Sequence, residues 1–405
     1  MKELPIIETK RIAVKLKPSA EKMVRRGHPW VFQDSITKQS AAAEAGDLAI
    51  IYDSKKNSFL ACGFFDPQSP IRIKLIQYKK QALINKEWFE AKIDEAKKIR
   101  TKLLETATNS YRLIFGENDS FPGFIADVYD HVLVIKLYSH IWFPYLKEIV
   151  PYLIKTSGCK TVVLRLSRLL QGNNTSFGHY DGEVLYGSLE SEVVIFKEHG
   201  VLFSANVIKG HKTGYFLDHR YNRKKVGTYA KGKTVLDVFS YAGGFSVHAL
   251  SGGAKEVTSL DISKHALEMA KENVALNAPK GKHITMVSDA FEGLQRLISQ
   301  KKTFDIVVID PPSFAKSAAE INKAKHSYSR LAKLGAQLVA KNGILVLASC
   351  SSRIIAEDFF EITEEAILQM NDRFELLEKT YHDIDHPVTF AEGAYLKCAY
   401  YRLVY

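Results

Sequence analysis

Apolar and polar positions alternate at period two through RIAVKLK (11–17) and again through PIRIKLIQY (70–78), and GDLAIIYDSKKNSFLACGFFD between them reads as two strands around a polar turn. Residues 10–78 are therefore expected to be all-β, a small barrel or sheet. The period then changes: NKEWFEAKIDEAKKIRTKLL (85–104) sets Trp88, Phe89, Ile93, Ala96 and Ile99 on one face of a helix. Short strands punctuated by Pro122-Gly123 and Asp130-His131, a helix near 142–156 and the strand CKTVVLRLS follow, the texture of a compact α+β unit. From about Glu198 onward, five short apolar runs (234–239, 256–261, 284–288, 304–310 and 343–349) are separated by helical stretches. That pattern predicts an α/β fold with a parallel doubly wound sheet.

In such sheets ligands bind beyond the carboxyl ends of the strands, so the tips of these runs are where chemistry is sought. The first, in TVLDVFSYAGGFSVHAL, carries Asp237 and passes through Tyr241-Ala242-Gly243-Gly244 into a helix. Adjacent glycines let a backbone approach a ligand closely. The pattern is not the G-x-G-x-x-G of a dinucleotide site. The second run ends in Asp261-Ile262, 24 positions after Asp237, the slot from which a carboxylate accepts bonds from both hydroxyls of a ribose. The third ends in Asp289-Ala290, placed beside an adenine ring. Three acidic tips without a phosphate-binding loop suit a nucleoside that lacks phosphate, and S-adenosylmethionine is such a ligand. The fourth delivers Asp310-Pro311-Pro312-Ser313-Phe314, where two prolines stiffen the backbone, remove two N–H donors and leave carbonyls and the Asp310 carboxylate for an incoming group. The fifth ends in LASCSS, with Cys350 among small hydroxyl residues.

Composition narrows the field. With 405 residues, 46% hydrophobic and 25% charged, the chain reads as a globular protein of two or three domains. Its N-terminus lacks a signal-peptide core and no apolar run approaches the ~20 residues needed to span a bilayer, so a cytoplasmic, membrane-free protein is expected. Four scattered cysteines (Cys62, Cys159, Cys350 and Cys398) show neither zinc nor disulfide spacing, so no metal is expected and each is read as a free thiol. The formal charge of +11 is uneven: residues 1–80 hold 15 Lys/Arg against 8 Asp/Glu, the other 325 hold 41 against 37. A basic N-terminal module suits a polyanion such as structured RNA, with Arg25 and Arg26 as candidate phosphate contacts. A homodimer is compatible with all of this.

Taken in order, GHPWVF (27–32), GFFDPQSPIRIKL (63–75), PGFIADVYD (122–130), KTGYFLDHR (212–220), LDVFSYAGGFS (236–246), DPPSF (310–314), SCS (349–351), DHPV (385–388) and EGAYLK (392–397) resemble the PUA-domain-containing class I methyltransferases that form 5-methylcytidine in large-subunit ribosomal RNA. The resemblance covers nearly the whole chain. It implies a PUA-like RNA-binding domain over 1–79, a central α+β domain over 80–197 and a Rossmann-like S-adenosylmethionine-dependent methyltransferase domain over 198–405. It also implies that Asp261 and Ile262 hold the ribose side of the cofactor, Asp289 and Ala290 the adenine, and Asp237, Tyr241, Gly243 and Gly244 the methionine portion, with Asp218 and Arg220 closing over cofactor or RNA.

Within that resemblance Cys350 acquires a purpose. Carbon 5 of cytosine is a poor nucleophile, and a thiolate that first adds at carbon 6 converts it into an enamine able to attack a methyl donor. The thiol's reference pKa of ~8.5 requires donors or positive charge nearby, and Ser349, Ser351 and Ser352 are the candidate donors. Asp310 would grip the base edge, with Pro311, Pro312, Ser313 and Phe314 lining the substrate. Many cytosine-5 RNA methyltransferases carry a second cysteine where this chain has Ser313, which leaves the base that removes the carbon-5 proton unidentified. Two other readings remain open: methylation of an exocyclic amine of guanine or adenine by way of Asp-Pro-Pro, which needs no cysteine, and a non-catalytic RNA-binding or ribosome-assembly role. His28 and His386 are given no catalytic role.

Overall fold

The computed structural model describes residues 2–171, 177–371 and 373–404. The chain divides into two compact units, one of Met1–Lys197, Ser204–Leu217 and Ile384–Phe390, the other of Glu198–Phe203, Asp218–Asp383 and Ala391–Tyr405.

The first unit opens with β1 (Arg11–Leu16), α1 (Pro18–Arg25), β2 (Trp30–Phe32), β3 (Ile36–Gln39), β4 (Leu48–Tyr52), β5 (Phe59–Phe65) and β6 (Ile71–Tyr78), whose strands form one sheet in the order β2-β6-β5-β4-β1-β3. The alternating positions Ile12, Val14 and Leu16 face its core beside Ala49, Ile51, Ile73 and Leu75. The all-β expectation for residues 10–78 missed α1. Its signal is Pro18 at the first helical turn, where the missing N–H removes no bond and the fixed φ suits a helix.

A second sheet holds β7 (Ser110–Phe115), β8 (Phe124–Tyr129), β9 (Val132–Leu137), β10 (Thr161–Leu166) and β11 (Glu183–Tyr186) in the order β11-β10-β9-β8-β7. Beside it lie α2 (Lys86–Leu104), α3 (Leu146–Ser157) and the single turn α4 (Arg168–Gln171). Asn85 starts α2 by accepting the Trp88 N–H at 3.1 Å. The buried face of α2 runs through Phe89, Ile93, Ala96, Arg100 and Leu103, so Ile99, expected on it, is 43% exposed. Helical spacing favours Arg100 there, and its guanidinium reaches both carboxylate oxygens of Asp119, at 2.9 and 2.6 Å. The DHPV segment belongs to this unit: Asp385 accepts the Arg112 N–H at 2.9 Å through its carboxylate and the Arg100 guanidinium at 3.1 Å through its carbonyl. A two-stranded ribbon pairs β12 (Val193–Glu198) with β13 (Val201–Asn206).

The second unit is built on seven strands: β14 (Thr234–Val238), β15 (Glu256–Asp261), β16 (Lys282–Val287), β17 (Phe304–Ile309), β18 (Val339–Ser349), β19 (Arg373–Thr380) and β20 (Lys397–Val404). Their order is β16-β15-β14-β17-β18-β20-β19. The five predicted runs are all present and mutually parallel, but β20 and β19 join antiparallel, so the sheet is mixed. Helices α5 (Arg220–Tyr229), α6 (Gly244–Ser251), α7 (Lys264–Ala275), α8 (Ala290–Ser299), α9 (Ile321–Leu338) and α10 (Ala356–Leu368) complete it. The strand order reverses between β14 and β17, and the crevice at such a reversal is where open α/β sheets take their ligands.

Candidate active site

Strand β14 is apolar after Thr234 except for Asp237, which is 1% exposed and lies opposite Ser259 of β15 and Val308 of β17. Its Oδ2 accepts the backbone N–H and the hydroxyl of Ser246, at 3.0 and 2.6 Å, at the start of α6. The Ser246 hydroxyl is also bonded to that of Ser259 (2.6 Å), which meets His283 at 2.8 Å. Burial pushes the Asp237 carboxyl up to about 7, against the pull of the Ser246 bonds and with the Asp310 and Asp261 carboxylates adding to the rise. Its Oδ1 is buried without a partner, as is the Ser240 hydroxyl in the turn that follows. Buried polar atoms left open are uncommon in folded chains and mark a place a polar ligand can satisfy.

That turn is strained. Phe239 (φ +62°) and Tyr241 (φ +47°) both occupy the left-handed region, followed by Gly243 at φ +76°. Four contacts among those that hold it are Tyr241 N–H on Asp261 Oδ2 at 2.9 Å, Ser240 N–H on the Leu260 carbonyl at 3.1 Å, Gly243 N–H on the Ser240 carbonyl at 2.8 Å, and the buried Asn273 amide of α7 on the Ala242 carbonyl at 2.9 Å. Gly244 then opens α6. Asp261 also accepts the Ser263 N–H at 2.8 Å through Oδ1, which fixes the carboxylate at the tip of β15. Ile262 beside it is 72% exposed, an apolar side chain open to cover a ring. Asp289 caps α8, its Oδ1 accepting from Phe291 (2.9 Å) and Glu292 (3.2 Å), and Ala290 is buried behind it. These tips therefore fit a ligand with ribose hydroxyls, a purine ring and a polar amino-acid end.

Asp310 follows β17. The ring of His219 lies 3.3 Å from it, at ion-pair distance, though Nε2 makes no aligned hydrogen bond. Burial pulls the His219 imidazole down, but Asp310, helped by Asp218, outweighs it and leaves its pKa raised. Asp218 accepts the Tyr395 hydroxyl at 3.0 Å. Pro311 is buried and its carbonyl faces the Cys350 thiol, with Sγ 3.9 Å from the oxygen. Pro312 is exposed, Ser313 is half-buried, and Phe314 packs edge-on against Tyr328 of α9 at 5.2 Å. Cys350 is half-buried, whereas Cys62, Cys159 and Cys398 are buried. Burial pushes the Cys62 thiol up to about 12, Cys159 up to about 11 and Cys398 well above its ordinary value.

Ser349 is already engaged, donating to the Tyr328 hydroxyl at 2.9 Å; Ser351 has its hydroxyl buried without a partner, and Ser352 is exposed. Arg220 is fully buried with its guanidinium on Asp383 at 3.0 Å. Arg25, at the end of α1 in the first unit, is exposed and paired with Asp53, and neighbouring Arg26 is exposed as well. Two side chains escaped sequence reasoning altogether. His219 sat unremarked inside LDHR, and Lys397 closes EGAYLK; a single histidine or lysine at those positions carries no pattern of its own.

Residues 176–394 match the S-adenosylmethionine-dependent methyltransferase family and residues 14–78 the PUA-like domain. A ribosomal RNA large subunit methyltransferase of Deinococcus radiodurans is 40% identical over 405 residues, covering 98% of this chain and 99% of the relative. Ribosomal RNA large subunit methyltransferase I of Alteromonas mediterranea is 34% identical, covering 94% and 96%. Among solved structures, a candidate S-adenosylmethionine-dependent methyltransferase from Streptococcus mutans superposes with a TM-score of 0.80 at 24% identity, covering 96% of this chain and all of that one. A methyltransferase solved with S-adenosylhomocysteine does so with the same score and identity, covering 98% and 100%.

Proposed function

Because the chain belongs to the S-adenosylmethionine-dependent methyltransferase family, we propose that it methylates carbon 5 of a cytidine in large-subunit ribosomal RNA, with Cys350 as the nucleophile. The choice of RNA is supported by the relatives named for that activity and by the basic charge of the PUA-like segment. One observation carries the choice of atom: of four thiols, the half-exposed one stands at the tip of β18 against the Asp-Pro-Pro backbone, and the other three are buried.

When bound, S-adenosylmethionine supplies an electrophilic methyl group. Asp261, Asp289 and the strained turn 239–243 hold and orient that cofactor, with the open Oδ1 of Asp237 at its polar end. The Cys350 thiolate adds to carbon 6 of the cytosine, forming the S–C bond while the carbon 5–carbon 6 pair becomes available at carbon 5. Asp310 holds the base edge, and the His219–Asp310 pair keeps a proton at ring nitrogen 3 as charge develops there. After methyl transfer the proton on carbon 5 leaves to solvent, its bonding pair re-forms the carbon 5–carbon 6 double bond, the S–C pair returns to sulfur to restore the thiolate, and the proton on ring nitrogen 3 returns to the His219–Asp310 pair.

RNA carrying 5-fluorocytidine at the target, incubated with enzyme and S-adenosylmethionine, should trap a covalent protein–RNA adduct, because fluorine does not depart as the proton does. Cys350→Ala should abolish adduct and methylation while leaving cofactor affinity within about 0.5 kcal/mol, as for a residue used only in the chemical step. Methylation by both Cys350→Ala and Cys350→Ser at wild-type rates would rule out the nucleophile and point to an amine target.

A further inference from the structure

Strand β20 begins with Lys397, a lysine at 1% exposure. Lysine is rarely buried so completely without a carboxylate partner. Here the ammonium donates to backbone carbonyls alone: Ser351, Ile354 at 2.5 Å and Tyr395 at 3.2 Å. No ion pair to it is found among the described residues. Ser349 pairs with Lys397 across the β18–β20 ladder, so the chain leaving β18 through Cys350 folds back over this one nitrogen. An unpaired buried cation costs several kcal/mol unless something anionic faces it.

The Cys350 thiol meets the carbonyl of Pro311, next in sequence to Asp310 at the tip of β17, and its charge is felt by Tyr328 of α9 and Lys397 of β20. Asp310 opposes a thiolate. The Tyr328 phenol, pushed by burial up to about 12, stays neutral near pH 7. Lys397 is a cation that favours the thiolate, and Cys350 in turn favours its charge; burial still draws the Lys397 ammonium down to about 8.

Resting on the assignment of Cys350 as nucleophile, we propose that Lys397 is a positioning residue: its ammonium, wrapped by the carbonyls of the 351–354 turn, stabilises the Cys350 thiolate both as attacking group and as leaving group. The thiol proton departs to solvent at the half-exposed sulfur, and the lysine keeps its own. A nearby cation lowers thiol pKa values in just this manner. It also supplies the charge that the serine hydroxyls, one engaged, one buried and one exposed, do not.

The test is the pH dependence of Cys350 alkylation by iodoacetamide in the full chain, followed by peptide mass spectrometry so that the buried thiols do not contribute. Wild type should alkylate with a midpoint about one pH unit below the ordinary ~8.5. Lys397→Met, similar in volume and uncharged, should move the midpoint up by 1–2 units and slow alkylation at pH 7 about 10-fold. Lys397→Arg should restore most of the shift. A melting curve and S-adenosylhomocysteine binding establish that each variant is folded, and Lys397→Gln replaces Met if that variant fails. An unmoved midpoint in a folded Met or Gln variant, or a wild-type midpoint at 8.5 or above, overturns the proposal. A moved midpoint without a 5-fluorocytidine adduct would sustain the lysine–thiol coupling while defeating the cytosine reading.

Discussion

Asp237 holds its proton in the fold up to about pH 7, whereas an aspartate in the unfolded chain ionises near 4. The raised folded value means that its contribution to stability is complete below about pH 4 and is lost as the pH rises through 7. Asp237→Asn, neutral throughout, should therefore leave the ligand-free protein more stable than wild type at pH 8 by about 1–4 kcal/mol, with the gap closing toward pH 5. Urea melts at the two pH values check this, and a constant gap would mean that the carboxylate is solvated in the fold. At this scale the position of the acidic tips was legible because each aspartate lies in or closes a bounded apolar run, while the caps and turns they also hold, as Asp289 does at α8, were not. Lys397 was not, since its meaning lies in the 351–354 turn that closes over it and in a thiol 47 positions away in sequence.

The turn between β14 and α6 is the element on which the proposed cofactor site depends. Gly243 combines φ +76° with a close approach, as a Cβ there would stand 2.9 Å from the Cβ of Ala270 on α7. Gly243→Ala should lower stability by about 1–3 kcal/mol through backbone strain and overpacking, and weaken cofactor binding more than tenfold by moving Tyr241 off Asp261. Calorimetric titration with S-adenosylhomocysteine measures it; unchanged affinity would separate the turn from the cofactor. The glycines were visible in the sequence, but the left-handed Phe239 and Tyr241 were not, because bulky residues there defy local preference and are held by Asp261, Ser240 and Asn273. Similarly, the parallel strands announced themselves as bounded apolar runs. Strands β19 and β20 did not, being separated by the 384–390 segment that joins the other unit, and α1 was hidden among alternating neighbours.

Over the whole molecule, a basic PUA-like segment and a methyltransferase unit with acidic strand tips and a half-buried thiol describe an enzyme that works on RNA. Of the basic residues first singled out, Arg25 and Arg26 are exposed, Arg25 beside Asp53, and Arg220 is buried. Among the described residues no helix is long and apolar enough to cross a membrane. What joins the parts is a claim about one atom of one base. Nucleoside mass spectrometry of large-subunit ribosomal RNA, from cells lacking the protein and from the same cells supplied with wild type or Cys350→Ala, tests it most directly. The account predicts that 5-methylcytidine is reduced in the deletion, returns with wild type and does not return with Cys350→Ala. Unchanged 5-methylcytidine with loss of a methylated guanine or adenine amine would contradict it.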